Sequence, residues 1–374
     1  MRRPILLIGL GDVGRHVLEL LARLPNVPEV LAVDVNAVDG RKRVNTALAG
    51  AALAGLYPRM GFRQLDVSNT DATATLLAET NPRLVFTSLT LQPPAVFEML
   101  PRDLRQRVYP GLGAWLPMHL ALSHAFMRAF KAAGIDAQVV NASFPDAVNV
   151  ILSRCGLGPL VGIGNLDCVV PTVRRTVAEV RGVHARRVDV RMVGHHYHSY
   201  NIGRYGRFDA RAPLVLRITI DGADATGEFD AVELLARVPA VAGRCTGREG
   251  HFATASSAVR TLMGIYNDSN ELAHAQGVED VPGACPVTLT ARGARLCLPA
   301  GVSRTEAIAL MEQAQRFDGI DRIEADGTVL ITDEARETVA KAIGYCWSRL
   351  EPAQATDVAR EMTAGFDAWT RSTS

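Results

Sequence analysis

The chain has 374 residues; 48% are hydrophobic, 21% are charged, and 40 Lys and Arg nearly balance 39 Asp and Glu. That length suits two domains with a large buried core, and the composition excludes a disordered chain. The balanced charge offers no basic face for nucleic acid or an anionic membrane, and no apolar run reaches the roughly 18 residues a membrane span needs.

Six cysteines (Cys155, Cys168, Cys245, Cys285, Cys297 and Cys346) are scattered without a Cys-x-x-Cys spacing. They read as reduced thiols of a cytoplasmic protein, not as a disulfide framework or a zinc site. The start, Met1-Arg2-Arg3-Pro4, is basic, but glycines and Asp12 break the apolar run that follows. It therefore reads as a strand and not as a secretory signal.

Ile5 to Ile8 is a short apolar run of the kind a buried parallel strand has. Gly9-x-Gly11-x-x-Gly14 follows at once, and Val13, Val17, Leu18, Leu21 and Leu24 then recur at helical spacing. Pro25 and Pro28 close that helix, and residues 29–35 read as a second strand ending near Asp34. In this order the parts make a dinucleotide-binding fingerprint. Gly9 permits the tight turn, Gly11 lets the backbone approach a pyrophosphate, and Gly14 lets helix pack on strand. Asp12 and Val13 open the helix whose free N–H groups and dipole attract the phosphates. Asp34 is placed to accept hydrogen bonds from an adenosine ribose 2′-OH and would repel a 2′-phosphate. NAD is the expected cofactor, a preference tempered by Arg41, Lys42 and Arg43 close behind.

A helix is expected over 45–56, a strand over 62–67, and a helix over 71–80 capped by Asn69 or Thr70. A fourth strand, 82–89, should bring Thr87 and Ser88 to the nicotinamide side, because ligands sit beyond strand C-termini in such sheets. Residues 90–113 carry Pro93, Pro94, Pro101, Pro110, Gly111 and Gly113 around Arg102, Arg105 and Arg107. Two readings of that stretch stand: a lid over the site, or a packed surface helix and loop. A strong helix is expected over 115–133, a fifth strand over 136–141 ending at Asn141, and a helix over 147–152. Residues 1–150 thus alternate strand and helix, a doubly wound parallel sheet of Rossmann type.

From residue 151 the pattern changes. Val161-Gly-Ile-Gly-Asn-Leu-Asp167 leads into a helix over 168–181, and strands alternate over 187–193 and 214–221. Helices are expected over 230–238 and 254–267, with a hairpin of 285–291 and 294–298. Ser303 and Glu306 make a capping box for a helix over 303–315. A hairpin turns at Asp326-Gly327, a helix runs from Thr332 to about Leu350, and the polar tail 352–374 is expected to fray.

Three stretches together resemble the lactate/malate dehydrogenase family: Gly9-x-Gly11-x-x-Gly14, Val161-Gly-Ile-Gly-Asn-Leu-Asp167, and Gly194-His195-His196-Tyr197-His198-Ser199. The resemblance spans most of the chain. It implies an NAD-binding Rossmann domain (1–150), an α+β catalytic domain of that family's type (151–351) and a C-terminal tail (352–374). It makes His196 the proton donor and acceptor, and Asp167 the carboxylate that orients it. The chemistry needs such a pair, because hydride transfer leaves charge on a carbonyl oxygen that a positioned acid must neutralise. Taken alone, Asp167 also reads as a cap of the helix that follows it, a role compatible with orienting the histidine.

The chain also departs from the family. The arginine that clamps the substrate carboxylate shortly after the aspartate is missing, since Cys168, Val169, Val170, Pro171 and Thr172 follow and Arg174 comes about two turns in. Arg102, Arg105 and Arg107 are candidates for the lid arginine, and His198 and His251 for further substrate contacts. Asn141 stands only loosely for the family's Asn-Pro. On a strand His196 and His198 would share a face, but no nearby Cys, Asp or Glu completes a ligand set, and no metal is assigned. The expected activity is hydride transfer between NAD and a secondary alcohol or ketone, a small-molecule substrate more specialised than plain lactate or malate. The resemblance implies a homodimer or homotetramer. The competing readings are a non-catalytic NAD(H) sensor and an enzyme that uses NAD transiently for epimerisation or elimination.

Overall fold

The computed structural model describes residues 3–93, 109–207, 209–245 and 247–373. Its first half supplies strands β1 (Ile5–Ile8), β2 (Val30–Asp34), β3 (Met60–Gln64), β4 (Leu84–Thr87), β5 (Gln138–Asn141) and β6 (Val161–Gly162). They form one parallel sheet in the order β3-β2-β1-β4-β5-β6. In register, Ile5 lies opposite both Val30 and Leu84. Successive side chains of a strand point to opposite faces, so Ile5 and Leu7 enter one core while Leu6 and Ile8 enter the other. Both faces are covered, which is why the run is continuously apolar.

Between the strands lie α1 (Asp12–Ala22), α2 (Ala37–Leu53), α3 (Thr70–Thr80), α4 (Leu116–Ala133) and α5 (Pro145–Arg154). Helix α2 begins eight residues before its predicted start, because the Asn36 side chain accepts a hydrogen bond from the Asp39 N–H and caps it. As expected, Asn69 caps α3.

The second half holds α6 (Leu166–Arg181), β7 (Val188–Val193), α7 (His196–Tyr205), β8 (Val215–Ile220), β9 (Ala223–Asp224), α8 (Ala231–Ala242) and α9 (Gly247–Tyr266). There follow β10 (Leu272–Gln276), β11 (Ala284–Thr290), β12 (Gly293–Leu296), α10 (Arg304–Gln315), β13 (Ile320–Ile323), β14 (Val329–Ile331), α11 (Asp333–Ile343), β15 (Arg349–Leu350) and α12 (Ala355–Thr373). Three small antiparallel sheets result: β7-β8-β9, β10-β11-β12 and β13-β14-β15. A bridge between Gly194 and Ala284 ties the end of β7 to β11. Helices α1, α2 and α9 pack with β10 and β11 on one face of the parallel sheet. Helices α3, α4, α5, α11 and α12 pack with β13 and β14 on the other.

The structure corrects the sequence reading in three places here. Strand β10 was not expected. The helix expected through Leu350 stops at Ile343, where Gly344 takes φ 74° and the chain returns as β15. The tail does not fray, because α12 docks Ala355, Ala359, Met362 and Phe366 into the core against α4. Phe366 is buried edge-on to Trp115, with ring centroids 5.9 Å apart. Phe366→Ala should therefore cost about 3–5 kcal/mol of stability. Urea unfolding measures it, and a loss near zero would mean that α12 contributes nothing to the fold.

Candidate active site

The site begins at the switch point of the sheet, between β1 and β4, where the strand order reverses. Gly9 takes φ 87°, and a Cβ on Gly14 would stand 1.8 Å from the Gly9 carbonyl oxygen, so only glycine fits at both. A Cβ on Gly11 would meet nothing within 4 Å, because the turn opens there onto a cleft. Ser88 Oγ donates to the Gly9 carbonyl at 2.9 Å and holds the turn from the β4 side. Asp34 holds it from β2: Oδ2 accepts from the Leu10 N–H at 2.7 Å and Oδ1 from the Asn36 N–H at 2.9 Å. The Arg43 guanidinium donates to the Leu10 carbonyl.

The cleft, of about 540 Å³, runs from Gly11, Asp12, Val13 and Arg43 past Ser88 to His196 and the start of α9. Its far wall is one face of α7, with His196, Ser199, Tyr200, Gly203 and Arg204 at helical spacing. The histidine run therefore lies otherwise than expected: β7 ends at Val193 and a helix begins at His196, so His196 and His198 share no strand face. His198 turns into the protein, where Nδ1 accepts from the His195 N–H at 2.9 Å and Nε2 donates to the Ala212 carbonyl at 3.0 Å. Burial pushes its pKa down to about 4, so it is a neutral structural residue and not a substrate contact.

His196 is held by a carboxylate that sequence reasoning missed. Its Nδ1 lies 2.9 Å from Asp318 Oδ2, so the ring donates there and Nε2 is left for the cleft. Asp318 is 1% exposed, at the end of the short helical turn that links α10 to β13. Gly113 makes room for it, since a Cβ there would stand 2.8 Å from the Asp318 carbonyl oxygen. Burial would lower the His196 pKa, but the charge and hydrogen bond of Asp318, with the charge of Asp146, outweigh it and raise the imidazole above its ordinary value. Asp318 is itself raised, because burial exceeds the attraction of His196, so this buried pair retains a proton strongly.

Asp146, in the first turn of α5, is fully buried and accepts from the Asn165 side-chain amide. Burial pushes it up to about 6, against the pull of His196 and Asn165. Near neutral pH a single such group beside His196 adds partial negative charge. Nothing in Phe-Pro-Asp146 or Phe-Asp318-Gly distinguishes these acids from ordinary turn residues. Asp318 is 122 residues from His196, so only the fold could reveal the pairing.

Asp167 does not meet His196, and the expected pairing is corrected. Its Oδ2 accepts from Ser257 Oγ at 2.6 Å, while its Oδ1 accepts from the His274 N–H at 3.1 Å and from the Arg260 guanidinium. Ser257 and Arg260 lie about one turn apart on α9, so the buried carboxylate fastens α6 to α9 and β10. Thr87 and Asn141, expected at the cofactor, are buried and do not line the cleft. Thr87 Oγ1 donates to Asn141 Oδ1 at 3.2 Å, and Asn141 donates to Asn149 at 2.8 Å, which joins the ends of β4 and β5 to α5. Ser143 and Phe144 line the cleft in their place. His251 also lines it, and burial holds its imidazole below the usual range. Arg102, Arg105 and Arg107 lie outside the described residues. Among the described residues no cluster of three or more His, Cys, Asp or Glu could hold a metal, and no helix is long and apolar enough to cross a membrane.

Solved structures share this fold. Lactate dehydrogenase from Eimeria maxima with NADH and oxamate aligns over 84% of this chain and 91% of its own, at 14% identity and a TM-score of 0.57. Malate dehydrogenase from Cryptosporidium parvum aligns over 85% and 98%, at 16% identity and a TM-score of 0.55. Malate dehydrogenase from Plasmodium falciparum aligns over 97% and 99%, at 12% identity and a TM-score of 0.56. No family model matches the chain, and no curated protein matches it. The fold is a Rossmann-type α/β domain joined to an α+β region, as in those dehydrogenases.

Proposed function

We propose that this chain is an NAD-dependent oxidoreductase that interconverts a secondary alcohol and a ketone, with His196 as the acid and base and Asp318 as the carboxylate that orients it. One observation carries the reading: the cleft that opens at Gly11 ends at an imidazole whose inner nitrogen is held by a buried carboxylate. The residues fit a dinucleotide. Gly11 leaves the turn open, α1 points its free N–H groups toward the cleft, and each Asp34 oxygen retains a lone pair for a ribose hydroxyl beside its backbone bond. Bound there, NAD would supply the hydride acceptor.

In the oxidative direction neutral His196 takes the hydroxyl proton at Nε2, and Asp318 fixes the tautomer and stabilises the imidazolium. In the reductive direction the imidazolium returns the proton to the carbonyl oxygen. The substrate end differs from a plain 2-hydroxy acid site. Arg174 pairs with Asp189 at 3.2 Å and does not line the cleft. Arg204 and Arg244 line the cleft from α7 and from the segment after α8. That rearrangement supports a specialised substrate.

The test mixes full-length protein and NAD with hydroxy acids and with sugar- and nucleoside-like alcohols, and follows dihydronicotinamide absorbance. Net NADH formation with one class is expected, and tight NAD binding without turnover on any of them would favour a sensor. Asp34→Ala should weaken NAD by roughly 10–100-fold, the loss of charged hydrogen bonds to the ribose. Calorimetric titration measures this, and an unchanged dissociation constant would remove Asp34 from the cofactor site.

A further inference from the structure

His119 stands on the cleft wall, in the first turn of α4. It is 5% exposed, and neither ring nitrogen has a hydrogen-bond partner. Leaving a buried polar group unpaired is unfavourable, so such a group in a cleft calls for an external partner. Phe144 joins it to the reacting end: its ring centroid lies 6.1 Å from the His119 ring and 5.5 Å from the His196 ring. Phe144 holds φ 44°, a left-handed conformation costly for a non-glycine residue and typical of positions fixed for function. Burial, aided by the nearby charge of His196, pushes the His119 pKa down to about 4, so the ring is neutral near pH 7. A neutral imidazole offers one donor and one acceptor. That suits a hydroxyl or carbonyl oxygen, whereas a carboxylate or phosphate calls for a cation.

We propose that His119 is a specificity-determining residue that hydrogen-bonds an uncharged oxygen function of the substrate, on a carbon other than the one His196 serves. The substrate class is thereby a polyol or hydroxyketone. This rests on the dehydrogenase reading of the cleft. The test uses full-length protein, NAD and two probe pairs: butane-2,3-diol against butan-2-ol, and cyclohexane-1,2-diol against cyclohexanol. The diols should be preferred by about tenfold in kcat/KM, the effect of one neutral hydrogen bond. His119→Leu should reduce that preference to less than about twofold, mainly through KM, and His119→Gln, which retains a donor and an acceptor, should restore part of it. Separately, in histidine-labelled protein with NAD, a diol should shift the His119 ring nitrogen resonances, assigned by their loss in His119→Leu, and the mono-ol should not. Equal use of diol and mono-ol, a preference that survives His119→Leu, or the absence of a diol-specific shift overturns the proposal. A diol-specific shift without oxidation of any probe supports the contact and sinks the dehydrogenase reading instead.

Discussion

His196→Ala is expected to lower kcat by about 10²–10⁴-fold, the usual worth of a positioned general acid and base. NAD affinity should change little, because the end of the cleft proposed for the cofactor is lined by Gly11, Arg43 and Ser88, with Asp34 bonded behind the turn, and none of these bonds to His196. Steady-state rates for the best alcohol, with NAD titration of the same variant, measure both quantities. Loss of NAD binding in parallel with turnover would show that the substitution disturbs the cleft and says nothing of proton transfer. Full activity in the variant would refute the assignment. Unlike His198, which bonds within the protein through both ring nitrogens, His196 commits only its inner nitrogen to the fold.

Asp318→Asn tests the pairing that the fold created. Burial alone would lower the His196 pKa, and the Asp318 carboxylate is the largest influence opposing it. Removing that charge should therefore take His196 from above its ordinary value to below it. The sign follows for each direction. Alcohol oxidation needs the neutral ring, so its rate rises with pH through the His196 pKa. Ketone reduction needs the protonated ring and falls through the same point. Both limbs should move to lower pH in the variant, and reduction near pH 7 should suffer more than oxidation. The turnover number should fall on the order of 10²-fold, since the amide can also hold the wrong tautomer. Asp167→Asn is the contrast: it unpairs Arg260 and Ser257, so the melting temperature should drop while the pH limb stays in place. If Asp167→Asn moved the limb and Asp318→Asn did not, the pair inferred from the sequence would be restored.

The N-terminal half was legible because its signals are local. Ile5–Ile8 forms β1 over its predicted span, since four apolar residues in a row have nowhere to go but between two covered faces. Ser303 and Glu306 form the expected capping box, a contact within one turn. The α12 signal was also present, in the apolar spacing of Ala355, Ala359, Met362 and Phe366, but the polar residues between them obscured it. Strand β10, Leu-Ala-His-Ala-Gln, has no β-branched residue, its polar residues His274 and Gln276 are buried instead of facing solvent, and pairing with β11 specifies it. Helix α7 was not assigned from the sequence, because a histidine run carries no periodicity of its own.

The sequence by itself determined the glycine turn after β1. Gly9, Gly11 and Gly14 are set by the sterics of one strand-to-helix turn, and Asp34 by the next strand. His196 was singled out only through the resemblance to the dehydrogenase family. The tertiary structure decided which carboxylate serves that histidine, because a buried acid binds the donors that packing brings to it. Asp167 faces Ser257 and Arg260 on α9, and Asp318 reaches His196 only after the last third of the chain folds back onto the first sheet. His119 follows the same rule: in the sequence it is one histidine of an apolar helix, and only the cleft leaves both its nitrogens without a partner.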